Sequence, residues 1–438
     1  MSQTTSQSRT NPQTGSDATG RVSPQPSLRS MLRKLFAPLA SLRLTVTLLT
    51  FSMFLVFYGT MAQIDSGIWT VVDQYFWSIW VWVPAQLSVK FAQIFFGLSP
   101  TVSVDSSWGF PLPGGFTIGW LLFINLIAAH ATRFKFSWKR TGIILIHTGL
   151  ILLLVGEFIT RKYAVEGSMQ IEEGQSSNYV FDQRQVEFAV IDGSGSEKDE
   201  VTVVPQSLLV TGRTIKDTLL PFDVIVREFF PNSKVTEPDD WNGAKENLAT
   251  AGDGRRVKAS LAQVTAGTDT DAKVDFPSAY VTLAGKKGEE YGTYLISTWL
   301  TELSNRPEQT VTVDGKDFRL ALRFKRSYKP YSIVLNDFKH DVYLGTDTPK
   351  NYQSDIKLID REIGVERESS IKMNEPLRHR GETFYQSSFL PGDRGTVLQV
   401  VRNPGWLIPY LSCVLVSAGL LVHFAMHLYG FLHRRAVS

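Results

Sequence analysis

Two apolar runs, Phe116–Ala131 and Thr141–Thr160, flank the short basic stretch Arg133-Phe-Lys-Phe-Ser-Trp-Lys-Arg140. At about 1.5 Å of rise per residue, runs of about 16 and 20 residues approach the roughly 30 Å of a bilayer core, so the pair reads as a membrane helical hairpin. Few folds remain open to such a stretch. Hydrocarbon offers no partner for backbone N–H and C=O groups, so each run must satisfy its own as a helix. Four cations in so short a turn resist translocation, which places the turn on the cytoplasmic side.

The flanking sequence repeats this logic. Arg33, Lys34 and Arg43 precede the run Leu44–Ala62, which is too long for a signal-peptide core and lacks a convincing small-residue cleavage site. It is expected to be an uncleaved first span. Trp406–Leu428 is the last run, and His433-Arg-Arg435 behind it belongs on the same side as the hairpin turn. The expected fold class is a multi-pass membrane protein with four transmembrane α-helices (3 + 1), both termini cytoplasmic, in the cytoplasmic (inner) membrane. The first span with its basic flank occupies 31–62, the hairpin 115–162, and the fourth span with its cytoplasmic end 403–438. Residues 1–30, rich in Ser, Thr, Gln and Pro, carry too little apolar surface to offset ordering and read as a disordered cytoplasmic tail.

Residues 63–114 then fall on the extracytoplasmic side. They are Trp-rich from Trp69 to Trp82, and Pro84, Gln86, Lys90 and Gln93 interrupt the apolar run beyond that point. A full span would tolerate these poorly, so 70–98 is expected as an amphipathic, Trp-anchored helix on the outer membrane surface. Topological parity agrees, since a span here would carry the hairpin turn and the C-terminal cations outside. Residues 163–402 alternate in short runs, among them Val186–Ile191, Phe222–Phe229, Ala279–Leu283, Thr293–Trp299 and Thr310–Val313, separated by Gly, Asp, Asn and Pro. They predict a large, mostly β extracytoplasmic domain between spans three and four. Asp314-Gly315 supplies the positive φ angles of a hairpin turn, and 231–275 reads as a long mobile insertion.

The chemistry narrows quickly. A net charge of +3 over 438 residues points to no nucleic-acid partner, and the single cysteine, Cys413, rules out an internal disulfide, a C-x-x-C pair and a cysteine zinc site. No phosphate-binding glycine loop, nucleophile elbow or H-E-x-x-H segment is present. The distinctive feature is histidine within apolar helix. His147 lies roughly 9 Å into its run, and an ionisable residue at such depth is a functional candidate. Gly142, Gly149 and Gly156 recur every seven residues as one smooth stripe, with His147 about 160° away from it at about 100° per residue. The stripe is expected to pack against spans one, two and four while the histidine faces elsewhere; a histidine bonded to a neighbouring helix is the competing reading.

His130, His147, His423 and His427, four of the seven histidines, fall into one slab near the inner face. Imidazoles without a nearby carboxylate or thiolate suit haem iron better than tetrahedral zinc. The candidate cofactor ligands are His147 first, then His423 and His130. Snorkelling at span ends competes for His130, His427 and His433, and the isolated His340 and His379 read as surface residues of the outer domain.

The residues also resemble a known family. Leu39-Ala-Ser-Leu-Arg-Leu-Thr-Val46, Gly59-Thr60, and Arg140-Thr-Gly-Ile-Ile-Leu-Ile-His147-Thr-Gly-Leu150 with Gly156 carry the likeness at one end. Tyr331–Phe338, Tyr343–Lys350, Ser354-Asp355, Met373–Leu377, Gly381–Phe389 and Asn403-Pro-Gly-Trp406 carry it at the other. Together they resemble the ResB-like, or CcsB-type, membrane proteins of system II cytochrome c maturation. The resemblance implies a non-catalytic or co-catalytic subunit that works with a Trp-rich, multi-span CcsA-type partner. The pair would move haem b transiently across the membrane and deliver it for covalent attachment to apocytochrome c. It further implies that His147 is an axial ligand, the opposite ligand coming from the partner. A haem-free scaffold assembling a respiratory or thiol-disulfide complex is the alternative.

Overall fold

The computed structural model describes residues 37–105, 107–133, 137–195, 198–237, 247–264, 275–302, 308–345 and 349–437. The tail expected at 1–30 lies outside the described residues. Helix α1 (Leu42–Ala62) opens the described chain, followed by a short helical stretch at Ile68–Phe76, β1 (Trp80–Pro84), α2 (Ala85–Phe96) and β2 (Gly109–Pro113). Helices α3 (Gly115–Arg133) and α4 (Thr141–Tyr163) follow. Strands β3 to β18 fill Val165–Arg402, and α5 (Ile408–Val437) ends the chain. Among the described residues four helices, α1, α3, α4 and α5, are long and apolar enough to cross a membrane.

The continuous surface helix expected over 70–98 is not formed. The chain leaves the helical stretch at Phe76, runs through β1, and pairs antiparallel with β2 from Trp80↔Pro113 to Pro84↔Gly109 before α2 begins. Period decides this. Trp80-Val-Trp-Val alternates, with Val81 and Val83 buried and Trp80 and Trp82 exposed, a two-residue repeat that suits a strand. Pro84 then supplies the extended entry from which α2 starts.

The glycine stripe packs as a seam, against one helix only. A β-carbon on Gly142 would lie 2.7 Å from the His423 backbone nitrogen, and one on Gly149 would lie 2.6 Å from a Val416 methyl and 2.9 Å from the Ser412 carbonyl. One on Gly156 would meet Ile408 at 2.6 Å, and one on Gly419 the Ile146 nitrogen at 2.7 Å. Helices α4 and α5 therefore touch backbone to backbone, which only glycine permits. Spans one and two, expected on the same stripe, are joined elsewhere. Asn125 of α3, buried, donates to the Leu39 and Ser41 carbonyls and accepts from Thr45 Oγ1 at 2.7 Å, which pins the start of α1. Between these two pairs the packing is thin, and the most apolar windows of the four helices are only 17%, 17%, 17% and 11% buried.

Most of the strands from β3 to β18 form one ten-stranded sheet, ordered β15 (Val365–Lys372), β14 (Pro349–Asp360), β13 (Lys316–Val342), β4 (Ser176–Asp192), β3 (Val165–Glu172), β18 (Gly395–Arg402), β17 (Glu382–Phe389) and β16 (Leu377–His379), with β12 (Gln309–Val313) pairing β13 and β5 (Glu200–Pro205) pairing β4. Strand β13 (Lys316–Val342) runs through two cores. Its first half sends Leu320, Leu322 and Phe324 into a core shared with a smaller sheet of β11 (Glu290–Ser297), β10 (Ser278–Gly285), β7 (Phe222–Phe230) and β6 (Thr214–Ile215), in that order. Its second half sends Tyr331, Ile333 and Leu335 into the other. The pairing register with β4 slips between Tyr328 and Ile333, where Pro330 can donate no ladder bond. The predicted turn is present, with φ of 50° at Asp314 and 76° at Gly315. Thr293–Trp299 is strand only as far as Ser297 and then turns helical.

The described part of the expected mobile insertion is ordered. Ser233–Thr236 and Lys258–Leu261 pair antiparallel, and Val257 and Ala259 are buried against Tyr280 and Leu295. Apolar residues too sparse to give a period are nonetheless enough to seat it.

Gly149→Leu would force the helix seam apart at a cost of about 1–3 kcal/mol. Detergent-purified full-length protein is expected to melt several degrees lower or fail to accumulate. Gly430→Leu on the same helix pair, where a β-carbon meets nothing within 4 Å, is expected to leave the melting temperature unchanged.

Candidate functional site

The seam fixes the rotation of α4, and with it the direction of His147. With Gly142 and Gly149 facing α5, the histidine points away from that helix and toward α3, where it meets His130. The two imidazoles lie 4.9 Å apart at 73°, edge to face. Both are half-buried. His130 Nδ1 lies 2.9 Å from the Leu126 carbonyl. A carbonyl only accepts, so Nδ1 carries the proton and the neutral ring keeps its lone pair on Nε2. A backbone carbonyl holding the other ring nitrogen is the arrangement that orients metal-ligating imidazoles. Sequence reasoning ranks His147 first and assigns His130 chiefly to the interface; the fold makes them neighbours.

The slab of four histidines divides in two. His423 and His427 meet edge to face one turn apart on α5, with ring centroids 4.4 Å apart. The backbone of His423 abuts Gly142, a residue about 140° around α4 from His147. This second pair therefore belongs to the seam side of α4, and the first to the α3 side. Similar positions along the helices do not imply a common face.

The donor set fits haem in one way and not in another. Two imidazoles bonded trans to one iron, at about 2 Å each, hold ring centres roughly 6 Å apart with the porphyrin plane between them. At 4.9 Å and edge to face, His130 and His147 cannot clamp a haem between them. One of them can bind iron from one side with the other as its neighbour. Among the described residues no three His, Cys, Asp or Glu side chains converge to hold a metal ion, so a tetrahedral site is not the competitor.

Several polar residues escape the sequence reading. Asn125, inside an apolar run, carries the α1–α3 junction. Glu157, exposed on α4, is a second ionisable residue within the third apolar run, close to the basic end of that helix. His379 and His340 are not isolated surface groups. His379 Nε2 bonds the fully buried Asp360 carboxylate at 2.8 Å, beside the Arg380 guanidinium at 2.5 and 2.9 Å. Its ring also meets Tyr331 edge-on at 5.0 Å, and Tyr331 bonds Glu382, which pairs with Lys329 at 2.6 Å. His340 bonds Asp393 at 3.0 Å and lies against Tyr352 and Phe389. Spacing along the chain gives no signal for these contacts, because each joins residues on separate elements: Asp360 ends β14 while His379 lies on β16, and His340 lies on β13 while Asp393 lies in the turn before β18.

A family model described as ResB-like matches residues 125–202 and 281–397. Over those residues the chain is similar to the ResB-like family. The matched blocks contain His130, His147 and the Asp360–His379–Arg380 cluster, and they stop short of the His423 pair. The chain is 24% identical over 304 residues to Protein NrfI of Wolinella succinogenes, covering 69% of this chain and 29% of that protein. It is 34% identical over 86 residues to the cytochrome c biogenesis protein CcsB of a Picosynechococcus species, covering 20% of this chain and 18% of that one. The chain thus spans under a third of either relative.

Hydrogen bonds from Arg380, then from His379, hold the Asp360 carboxyl well below the usual carboxylate range. A depressed value means stability that is present above about pH 4 and lost as pH falls toward the folded-state value. Thermal melts of the full chain are expected to fall steeply below about pH 4. Asp360→Asn is expected to melt lower at neutral pH and to lose much of that acid dependence.

Proposed function

We propose that this protein is a subunit of a system II cytochrome c maturation complex. With a CcsA-type Trp-rich partner it moves haem across the cytoplasmic membrane and delivers it for attachment to apocytochrome c. In this reading α1, α3, α4 and α5 cross the bilayer, the cations Lys139 and Arg140 stay cytoplasmic by the positive-inside rule, and the β domain is extracytoplasmic. The observation that carries the reading is the His130–His147 pair within apolar helices. Buried ionisable groups in such helices are costly and mark functional positions.

Haem b, when bound, would supply the vinyl groups that become thioether links to the apocytochrome. His147 is the ligand of this chain, presented on the α4 face opposite the seam. His130, its tautomer set by Leu126, is the neighbour that orients it or replaces it. A further iron ligand would come from the partner. The single thiol, Cys413, is on α5, the helix His147 faces away from, so this chain holds and positions, and the bond-forming step rests with the assembled complex. The β domain, continuous with α4 and α5, is the docking surface for the partner or the apocytochrome. A haem-free scaffold is the second reading, favoured by the fact that the two imidazoles contact each other inside one chain.

Full-length protein purified alone and with its partner separates the two. Haem content by Soret absorbance is expected to fall roughly tenfold in His147→Ala, with partial rescue by added imidazole, and to fall less in His130→Ala with a displaced Soret maximum. Unchanged haem content and spectrum in both variants would establish the scaffold instead.

A further inference from the structure

At the end of the hairpin opposite the histidines, α3 and α4 enclose an open groove of about 480 Å³, walled by Phe116–Phe123 and Leu154–Phe158 and floored by Phe76 and Trp77. Trp120 sits at its centre, edge-on to Phe116, Phe123 and Phe158 with ring centroids 6.2, 5.7 and 5.9 Å away. Glu157 lines this apolar surface, ten residues beyond His147 and so about 15 Å along the helix.

Among the described residues Glu157 has no ion-pair or hydrogen-bond partner. The cation one turn beyond it, Arg161, is already committed, bonding Asp73 at 2.6 Å and stacking on Trp77 at 4.8 Å. Gly119 faces the groove, and a β-carbon there would meet nothing within 4 Å. That contrasts with Gly142, Gly149, Gly156 and Gly419, whose missing β-carbons the chain's own seam uses. A small residue on an apolar helix admits a neighbouring helix closely, and here no described helix of this chain takes the place.

We propose that this groove receives a transmembrane helix of a second membrane protein, bearing a Lys or Arg that pairs with Glu157. Charge complementarity selects this occupant. A lipid acyl chain would fill the aromatic walls and leave a carboxylate in hydrocarbon, whereas a cationic helix fills the walls and neutralises it. The low burial of all four apolar helices leaves the surface for it.

The partner used in the test is the CcsA-type protein, and in that respect alone the proposal rests on the proposed function. Tagged full-length chain is co-expressed with the untagged partner, extracted in a mild detergent, and the ratio of partner to chain is measured. Gly119→Trp, which fills the groove without touching the chain's own core, and Glu157→Lys, at an exposed position, are each expected to lower that ratio roughly tenfold. Exchanging a membrane-embedded Lys or Arg of the partner for Glu is expected to restore the ratio in Glu157→Lys. Met53→Trp, at an α1 position 73% exposed and away from the groove, is expected to leave it unchanged. Wild-type ratios in both Gly119→Trp and Glu157→Lys, or an equal loss in Met53→Trp, would overturn the proposal. His147→Ala distinguishes the two readings. Loss of haem with the partner retained tests the cofactor site alone, and loss of the partner in Gly119→Trp tests the groove alone.

Discussion

The contact between α4 and α5 is the constraint on which the remaining geometry depends. Four glycines, at 142, 149, 156 and 419, let two helices meet through their backbones, and a seven-residue repeat drifts only about 20° per repeat on a straight helix. The stripe therefore stays on one face for the whole length of α4. Once that face is committed, His147 must look toward α3. The seam also reaches beyond the helices. Strand β3 begins at Val165 directly after α4, β18 ends at Arg402 just before α5, and the two pair antiparallel with Val165 opposite Arg402. Asn403 bonds Thr160 at 3.2 Å and the Gly405 amide at 2.8 Å, closing the junction. Helix pair and strand pair are one continuous two-stranded ribbon, so the β domain is held in register with the helix that carries His147.

Apolar length makes the four helices legible, because a bilayer-spanning helix is specified by composition along a line. Seven-residue glycine spacing makes the seam legible for the same reason, and an Asp-Gly pair makes the 314–315 turn legible. Side-chain pairing across separate elements is not. His130 and His147 meet because α3 and α4 run antiparallel around a short turn, and their angular match depends on how each helix is rotated by α1 and α5. Asn125 fixes one rotation and the glycine seam the other. Neither is readable from the position of a histidine. Strand β1 is hard to see because tryptophan signals an interface whatever the backbone, and the alternation in Trp80–Val83 carries the decisive period in only four residues.

The β domain follows a different rule from the membrane layer. Several of its buried ionisable residues are matched: Arg323 with Glu187, 7% and 8% exposed at 2.9 Å, Lys329 with Glu382, and His379 and Arg380 with Asp360. A buried pair contributes little net stability compared with apolar packing, but removing one member leaves a charge stranded. Such pairs specify which strands adjoin. Strand β13 needs that specification, since it passes from one core to another past a proline and a register slip, with Arg323 bonded to Glu187 before the slip and Tyr331 bonded to Glu382 within it.

In the helical layer ionisable residues meet each other or meet open surface. The α1–α3 pair is held by one asparagine and the α4–α5 pair by absent β-carbons, devices that require no third helix. Where the two pairs meet, the contact consists of two imidazoles at one end and an open aromatic groove with the Glu157 carboxylate at the other. A chain that completed its own bundle would bury these. A helical layer that gathers His130, His147 and Glu157 along one joint, and whose packing is thinnest along that same joint, has the surface chemistry of part of a larger assembly.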